Sequence, residues 1–285
     1  MRTTLAWLAA LALGATVAAQ PGSQPQSVRA LLELARQQSE RKDARGALET
    51  LRQARVLAPN SEEVLHAYAE ASLAVGEPLV AIAALEPLTR MCPSVGQYHY
   101  LLGMALMRAG DVAAAVEPLK DAERLDPDEA PALVALGTAL NERRLYTEAK
   151  PPLLRALSLA PDNVEAMAAL AEAEAGLSEL QQAEDHAQRA LARSGADATA
   201  NRVMGMVRMA QHRYAEARDA LLKAVASDPS SAKAHYQLSL AYTRLSDEAA
   251  AEKQLALHRQ CAAEAESRIK QVRALTGFSM GGMQP

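Results

Sequence analysis

Six histidines, two cysteines and 34 carboxylates are the side chains of this 285-residue chain that could support acid–base, nucleophilic or metal chemistry. Their spacing argues against metal binding. None of His66, His99, His186, His212, His235 and His258 stands in an H-E-x-x-H arrangement, which would place two imidazoles on one helix face to hold zinc. His186 follows Glu184 and Asp185, but adjacent residues do not share a helix face, so this trio reads as a solvated surface. Cys92 and Cys261 are too few for a disulfide framework and read as small buried hydrophobes. No P-loop and no G-x-G-x-x-G turn is present to cradle a phosphate. The residues assign no catalytic group, no cofactor and no metal, and the chain reads as a non-enzyme.

Composition narrows the rest. Hydrophobic residues make up 49% of the chain and aromatics only 3%, so the apolar mass is alanine and leucine, both good helix formers. Runs of β-branched residues are missing, and the expected class is all-α. The formal charge of −4 provides no basic footprint, which excludes a nucleic-acid partner. At the start, Arg2 precedes an apolar run from Leu5 to Thr16, and Val17-Ala18-Ala19 supplies small residues at a cleavage junction. The run is shorter than the roughly 20 residues that span a bilayer. A signal peptide over 1–19, cut after Ala19, is therefore expected, with a flexible linker over 20–26. Export to the periplasm or outside the cell, with no stable membrane insertion after cleavage, follows from it. Loss of Arg2 takes the charge from −4 to −5.

The elements that would position any site come from one recurring unit. Ala130 to Asn163 reads as two helices, the first with Leu133, Leu136 and Leu140 on one stripe, the second with Ala149, Leu153 and Ala156. Pro161 stops the second helix. Pro59, Pro93, Pro127, Pro161, Gly195 and Pro229 recur every 34 residues, as do Ala47, Ala81, Ala115, Ala149, Ala183, Ala217 and Ala251. A third series is Leu51, Leu85, Leu119, Leu153, Ala187, Leu221 and Leu255; a fourth, of small residues, is Ala35, Ala69, Gly103, Gly137, Ala171, Gly205 and Ser239. A glycine such as Gly137 inside a helix implies close packing, expected here against the second helix.

This pattern resembles the tetratricopeptide repeat, W-x2-L-G-x2-Y, then A-x3-F, then P, at a period of 34. The resemblance implies a right-handed α–α solenoid of seven helix-turn-helix repeats over 27–262, in units of about 28–61, 62–95, 96–129, 130–163, 164–197, 198–231 and 232–262. It departs from the family at the aromatic places: His99, Asn201 and His235 stand where Trp is usual, and Glu174 and Arg208 where Tyr is usual. Softer packing is expected in the fifth and sixth units. Pro118 and Pro152 lie within second helices, beyond the first turn, and should make them bent and solvent-facing there. The last second helix, with no terminator, should run from about Asp247 to about Leu275 and let Ile269, Val272 and Leu275 cover the last repeat, within a C-terminal cap and tail over 263–285.

What the family resemblance implies about function is a concave wall lined by the first helix of each unit. Carried onto this chain it gives Tyr100, Met104, Met107 and Arg108, then Val134, Thr138 and Asn141, then Glu172, then Arg202, Met206 and Met209, and last Tyr236, Leu240 and Arg244. The family's clamp for a C-terminal carboxylate needs Lys and Asn at two of these places, and no unit has the pair. The methionines suit varied apolar partners, since thioethers are flexible and polarizable. The expected function is a scaffold holding a peptide or helix of a partner protein. Self-association and service as an accessory subunit of an envelope enzyme or of an assembly or secretion complex stay open.

Overall fold

The computed structural model describes residues 26–276, so the expected signal peptide and the segment after Thr276 lie outside the described residues. The described chain is helical, and its fourteen helices form seven pairs: α1 (Gln26–Glu40) with α2 (Ala44–Leu57), α3 (Glu62–Ala74) with α4 (Pro78–Met91), α5 (Gly96–Ala109) with α6 (Val112–Leu125), α7 (Ala130–Glu142) with α8 (Tyr146–Leu159), α9 (Val164–Gly176) with α10 (Leu180–Arg193), α11 (Ala198–Ala210) with α12 (Tyr214–Ser227), and α13 (Ala232–Arg244) with α14 (Glu248–Thr276). Each helix packs chiefly on its partner and on the next pair, the linear arrangement of a solenoid.

Within a pair, the crossing point is set by volume. A Cβ added at Gly103 would fall 2.4 Å from Leu119 Cγ, at Gly137 2.3 Å from Leu153 Cγ, and at Gly205 2.4 Å from Leu221 Cγ. The glycine thus admits the leucine of the second helix, which is fully buried in all three pairs. The fifth pair solves the same crossing with Ala171 and Ala187, both fully buried.

The turn inside each pair repeats as strictly. Lys42, Gly76, Gly110, Arg144, Ser178, His212 and Ser246, one per unit, all have positive φ, between 59° and 92°. In each, the following N–H reaches back to a carbonyl in the last turn of the first helix, as from Asp43 to Gln38 and from Leu145 to Leu140, both at 2.9 Å. This is the Schellman closure of a helix C-terminus, which favours glycine. Only Gly76 and Gly110 supply it.

Three expectations change. α6 and α8 run without interruption through Pro118 and through Pro151 and Pro152; Pro152 is buried and Pro118 half-buried, so these positions are not simply solvent-facing. The fifth and sixth units carry polar groups in their interior, but those groups are paired. His186 Nδ1 lies 2.8 Å from Glu174 Oε2, and Arg208 Nη1 lies 2.7 Å from Glu184 Oε1. His186 is therefore a partner of a buried carboxylate rather than a solvated residue. Finally, α14 does not end on the last repeat. Its far end reaches α4 and α5, where Val272 is 3% exposed and Arg273 pairs with Asp111.

Candidate functional site

The residues at the unusual Trp places share one task. His99 Nε2 lies 3.1 Å from the Pro93 carbonyl, Asn201 Nδ2 donates to the Gly195 carbonyl at 3.1 Å, and His235 Nε2 lies 3.0 Å from the Pro229 carbonyl. Each satisfies the carbonyl of the turn residue six positions earlier, a group left without a helical donor. They are structural. His258 and Cys261 stand three residues apart on α14, yet each turns to a different backbone carbonyl, Ala232 for the imidazole and Pro229 for the thiol. Cys92 and Cys261 are both free and half-buried, so neither is the fully buried hydrophobe expected. Among the described residues no group of three His, Cys, Asp or Glu side chains is arranged to hold a metal. One G-x-S-x-G string, 277–281, lies outside the described residues; the helix α14 precedes it, where a nucleophile elbow needs a strand.

The expected concave residues divide into those the fold brings together and those it covers. Glu172, Arg202, Met206, Met209, Tyr236 and Leu240 line one cavity of about 340 Å³, with Arg144, Tyr146, Lys233 and Gln237. Four units contribute: the turn after α7, then α9, α11 and α13. Tyr100, Met104 and Arg108 line a second hollow of about 250 Å³ with Glu70, Leu73 and Ala74. Arg108 donates to the Leu73 carbonyl at 3.0 Å, which fixes its stem across the second and third units. Burial, and behind it the Glu165 carboxylate, pushes the Tyr100 phenol up.

Val134 and Asn141 do not face the groove. They are 2% and 0% exposed, because α7 packs on α9 closely enough for Asn141 Nδ2 to donate to the Ala169 carbonyl at 2.7 Å. Thr138, one turn before Asn141, has its hydroxyl buried as well. Met107 is half-buried against the core, and Arg244 is exposed beyond both cavities. Glu172 and Arg202 line the larger cavity mainly as its floor, since both are 6% exposed.

That floor is a ladder of charges. Arg202 Nη2 lies 2.7 Å from Glu172, Lys233 Nζ 3.3 Å from the same carboxylate, and Lys233 Nζ also 3.0 Å from Glu142. A lysine of the seventh unit therefore touches the fourth and fifth, so the inner face curves tightly there. Burial alone would raise the Glu172 carboxyl, but the Arg202 and Lys233 charges outweigh it and hold it below the ordinary value. Arg144 rims the cavity from its positive-φ turn, exposed. The Oε1 atom of Gln237 is buried at the wall without a hydrogen-bond partner. The cavity thus offers thioether and aromatic walls, three cations and an unfilled acceptor, within the size range of ligand sites.

Curved wall, seven paired helices and repeat turns define an α-solenoid of tetratricopeptide type. A tetratricopeptide-repeat family model matches residues 67–130 and 202–266, in both halves of the array. The chain is similar to a tetratricopeptide repeat protein from Parabacteroides merdae, with 14% identity, a TM-score of 0.66, and coverage of 89% of this chain and all of that one. It is also similar to a chain of the APC/C hetero-tetramer Cut9–Hcn1, with 20% identity, a TM-score of 0.60, and coverage of 76% of this chain and 43% of that one. At these identities the likeness is one of fold. No curated protein sequence matches the chain.

Proposed function

We propose that this chain is a non-catalytic adaptor that holds a segment of a partner protein along its concave face. The observation that carries the reading is the cavity built jointly by the fourth to seventh units, where Met206, Met209, Tyr236 and Leu240 stand over the Glu172–Arg202–Lys233 ladder. Large exposed apolar side chains beside cations suit a segment that buries an aliphatic or aromatic anchor and places an acid near Arg144. A chain of similar fold belongs to a protein hetero-tetramer, which agrees with this use of the architecture. The test is site-specific photo-crosslinking from Tyr236 and Leu240 in the intact cell, with Val56 on α2, 79% exposed, as the control position. Adducts of defined mass from the groove positions alone support the reading. Equal adducts from Val56, or none from the groove, overturn it.

Self-association is the second reading, and one observation favours it. Leu57, Met91 and Leu159 end α2, α4 and α8 at one repeat position and are exposed, an apolar row along the array edge. Sedimentation of the chain at rising concentration decides this; a constant monomer mass removes it. Export rests on the N-terminal residues alone, Arg2, Leu5–Thr16 and Val17-Ala18-Ala19. N-terminal sequencing of the chain from fractionated cells tests it, with a start at Gln20 expected.

A further inference from the structure

Among the described helices, α14 departs furthest from nearest-neighbour contact, further than α13 with its Lys233. It has 29 residues, about 43 Å at 1.5 Å per residue, and starts on α13 of the seventh unit. Its last turns land on the second and third units. Arg273 Nε donates to Asp111 Oδ2 at 2.8 Å and Arg273 Nη2 to Oδ1 at 3.1 Å, a bidentate pair across 162 residues. Val272 is buried beside it, and Ile269 comes to the Gly110 turn, within 3.6 Å of where a Cβ would stand. Ile269, Val272 and Arg273, at spacings of three and four, form one face of the helix.

We infer that the end of α14 is a releasable strap, which closes the solenoid by docking on the turns of the second and third units and exposes the cavity beneath it, beside the concave face, when it lifts. Among the described residues the docking is thin. A cavity of about 580 Å³ lies under the strap, walled by Leu79, Val80, Ala109, Arg268 and Val272. Only one apolar side chain of the described strap is buried, and Arg273 keeps 42% of its side-chain surface in solvent. Such a pair weakens as salt rises. Asp111 also caps α6 by accepting from the Ala114 N–H at 3.3 Å, so the strap is moored to a rigid helix start. Arg108 lines both the cavity under the strap and the hollow with Tyr100 and Met104, so the docking site adjoins the groove directly. The inference rests on the proposed groove only for what the strap guards. Its contacts and its test need no partner.

The test is thiol labelling under the strap. Leu79→Cys is placed in a Cys92→Ser, Cys261→Ser chain, and its maleimide labelling rate is measured at low salt. Arg273→Glu or Val272→Asp should speed labelling about tenfold, with amide exchange over 268–274 rising alongside and the helical circular dichroism unchanged. Asp111→Asn keeps the α6 cap and should act in the same direction. Added salt should speed the parent chain but not Arg273→Glu. Labelling equal in parent and variants, or a parent rate already that of a free thiol, overturns the strap. Accelerated labelling with no groove crosslinks would leave the strap standing and remove the adaptor reading.

Discussion

Glu172 and Arg202 meet at 2.7 Å with side chains only 8% and 7% exposed, on successive first helices of the array. Two charges so buried attract strongly, but neither tolerates loss of the other. Glu172→Leu should cost about 3–5 kcal/mol, because Arg202 is left buried and unpaired. Adding Arg202→Met to that variant should recover much of the loss. Urea midpoints of the two single variants and the double variant check it; additive losses would contradict the coupling.

The same pair sets a pH dependence. Glu172 sits below its ordinary value of 4.5, so the folded state binds its proton less readily than the unfolded chain does. Its contribution is therefore complete above about pH 4.5 and fades as the pH falls through the lower, folded value. Glu172→Gln should flatten that acid limb of the stability curve. Retention of the full limb would assign it to other carboxylates.

Five of the seven turns place a side chain where glycine is easiest. Ser178 has φ 64° and Ser246 φ 61°. Ser178→Gly and Ser246→Gly should each raise stability by about 0.5–1 kcal/mol. Gly110→Ala should lower it by a similar amount, because φ there is 92° while its Cβ would meet nothing closer than 3.6 Å. Thermal melts of the three variants test the sign directly.

Gly137→Ala separates helix propensity from packing. Alanine is the better helix former by about 1 kcal/mol, yet its Cβ would stand 2.3 Å from Leu153 Cγ. Overpacking of about 1–3 kcal/mol should win. The double variant Gly137→Ala, Leu153→Ala copies the Ala171–Ala187 crossing of the fifth unit and should lose less than the sum of its parts, as read from denaturant midpoints.

For the groove, Met104→Glu with Met206→Glu should abolish crosslinking from Tyr236 while leaving the helix content intact. Both methionines are only partly buried, so the substitutions leave the filled core in place. Undiminished crosslinking would put the partner elsewhere.

Much of the architecture was readable from the chain because it repeats. Pro59 to Pro229, the alanine series and the Gly–Leu pairs recur with the unit, and recurrence survives any single substitution. The positive-φ turns were invisible, since Lys42, Arg144, Ser178, His212 and Ser246 carry no glycine to mark them. His99, Asn201 and His235 looked like departures from the pattern until the turn carbonyls they serve came into view. The wall of the larger cavity was legible only in part. Position within the unit chose Met206, Met209, Tyr236 and Leu240, which line it, but the same rule chose Val134 and Asn141, which the close approach of α7 to α9 buries. The landing of α14 has no periodic trace, for Asp111 and Arg273 are 162 residues apart.

A chain of stacked units ordinarily comes apart from either end, because an outermost unit has one neighbour rather than two. Here the seventh unit has a second attachment, through Arg273 and Val272 to the far side of the array. Among the described residues the first unit has none. Heat, denaturant or a pulling force should therefore peel α1 and α2 away first. While the strap stays docked at Asp111 the C-terminal units should hold, so the docked molecule frays from one end first.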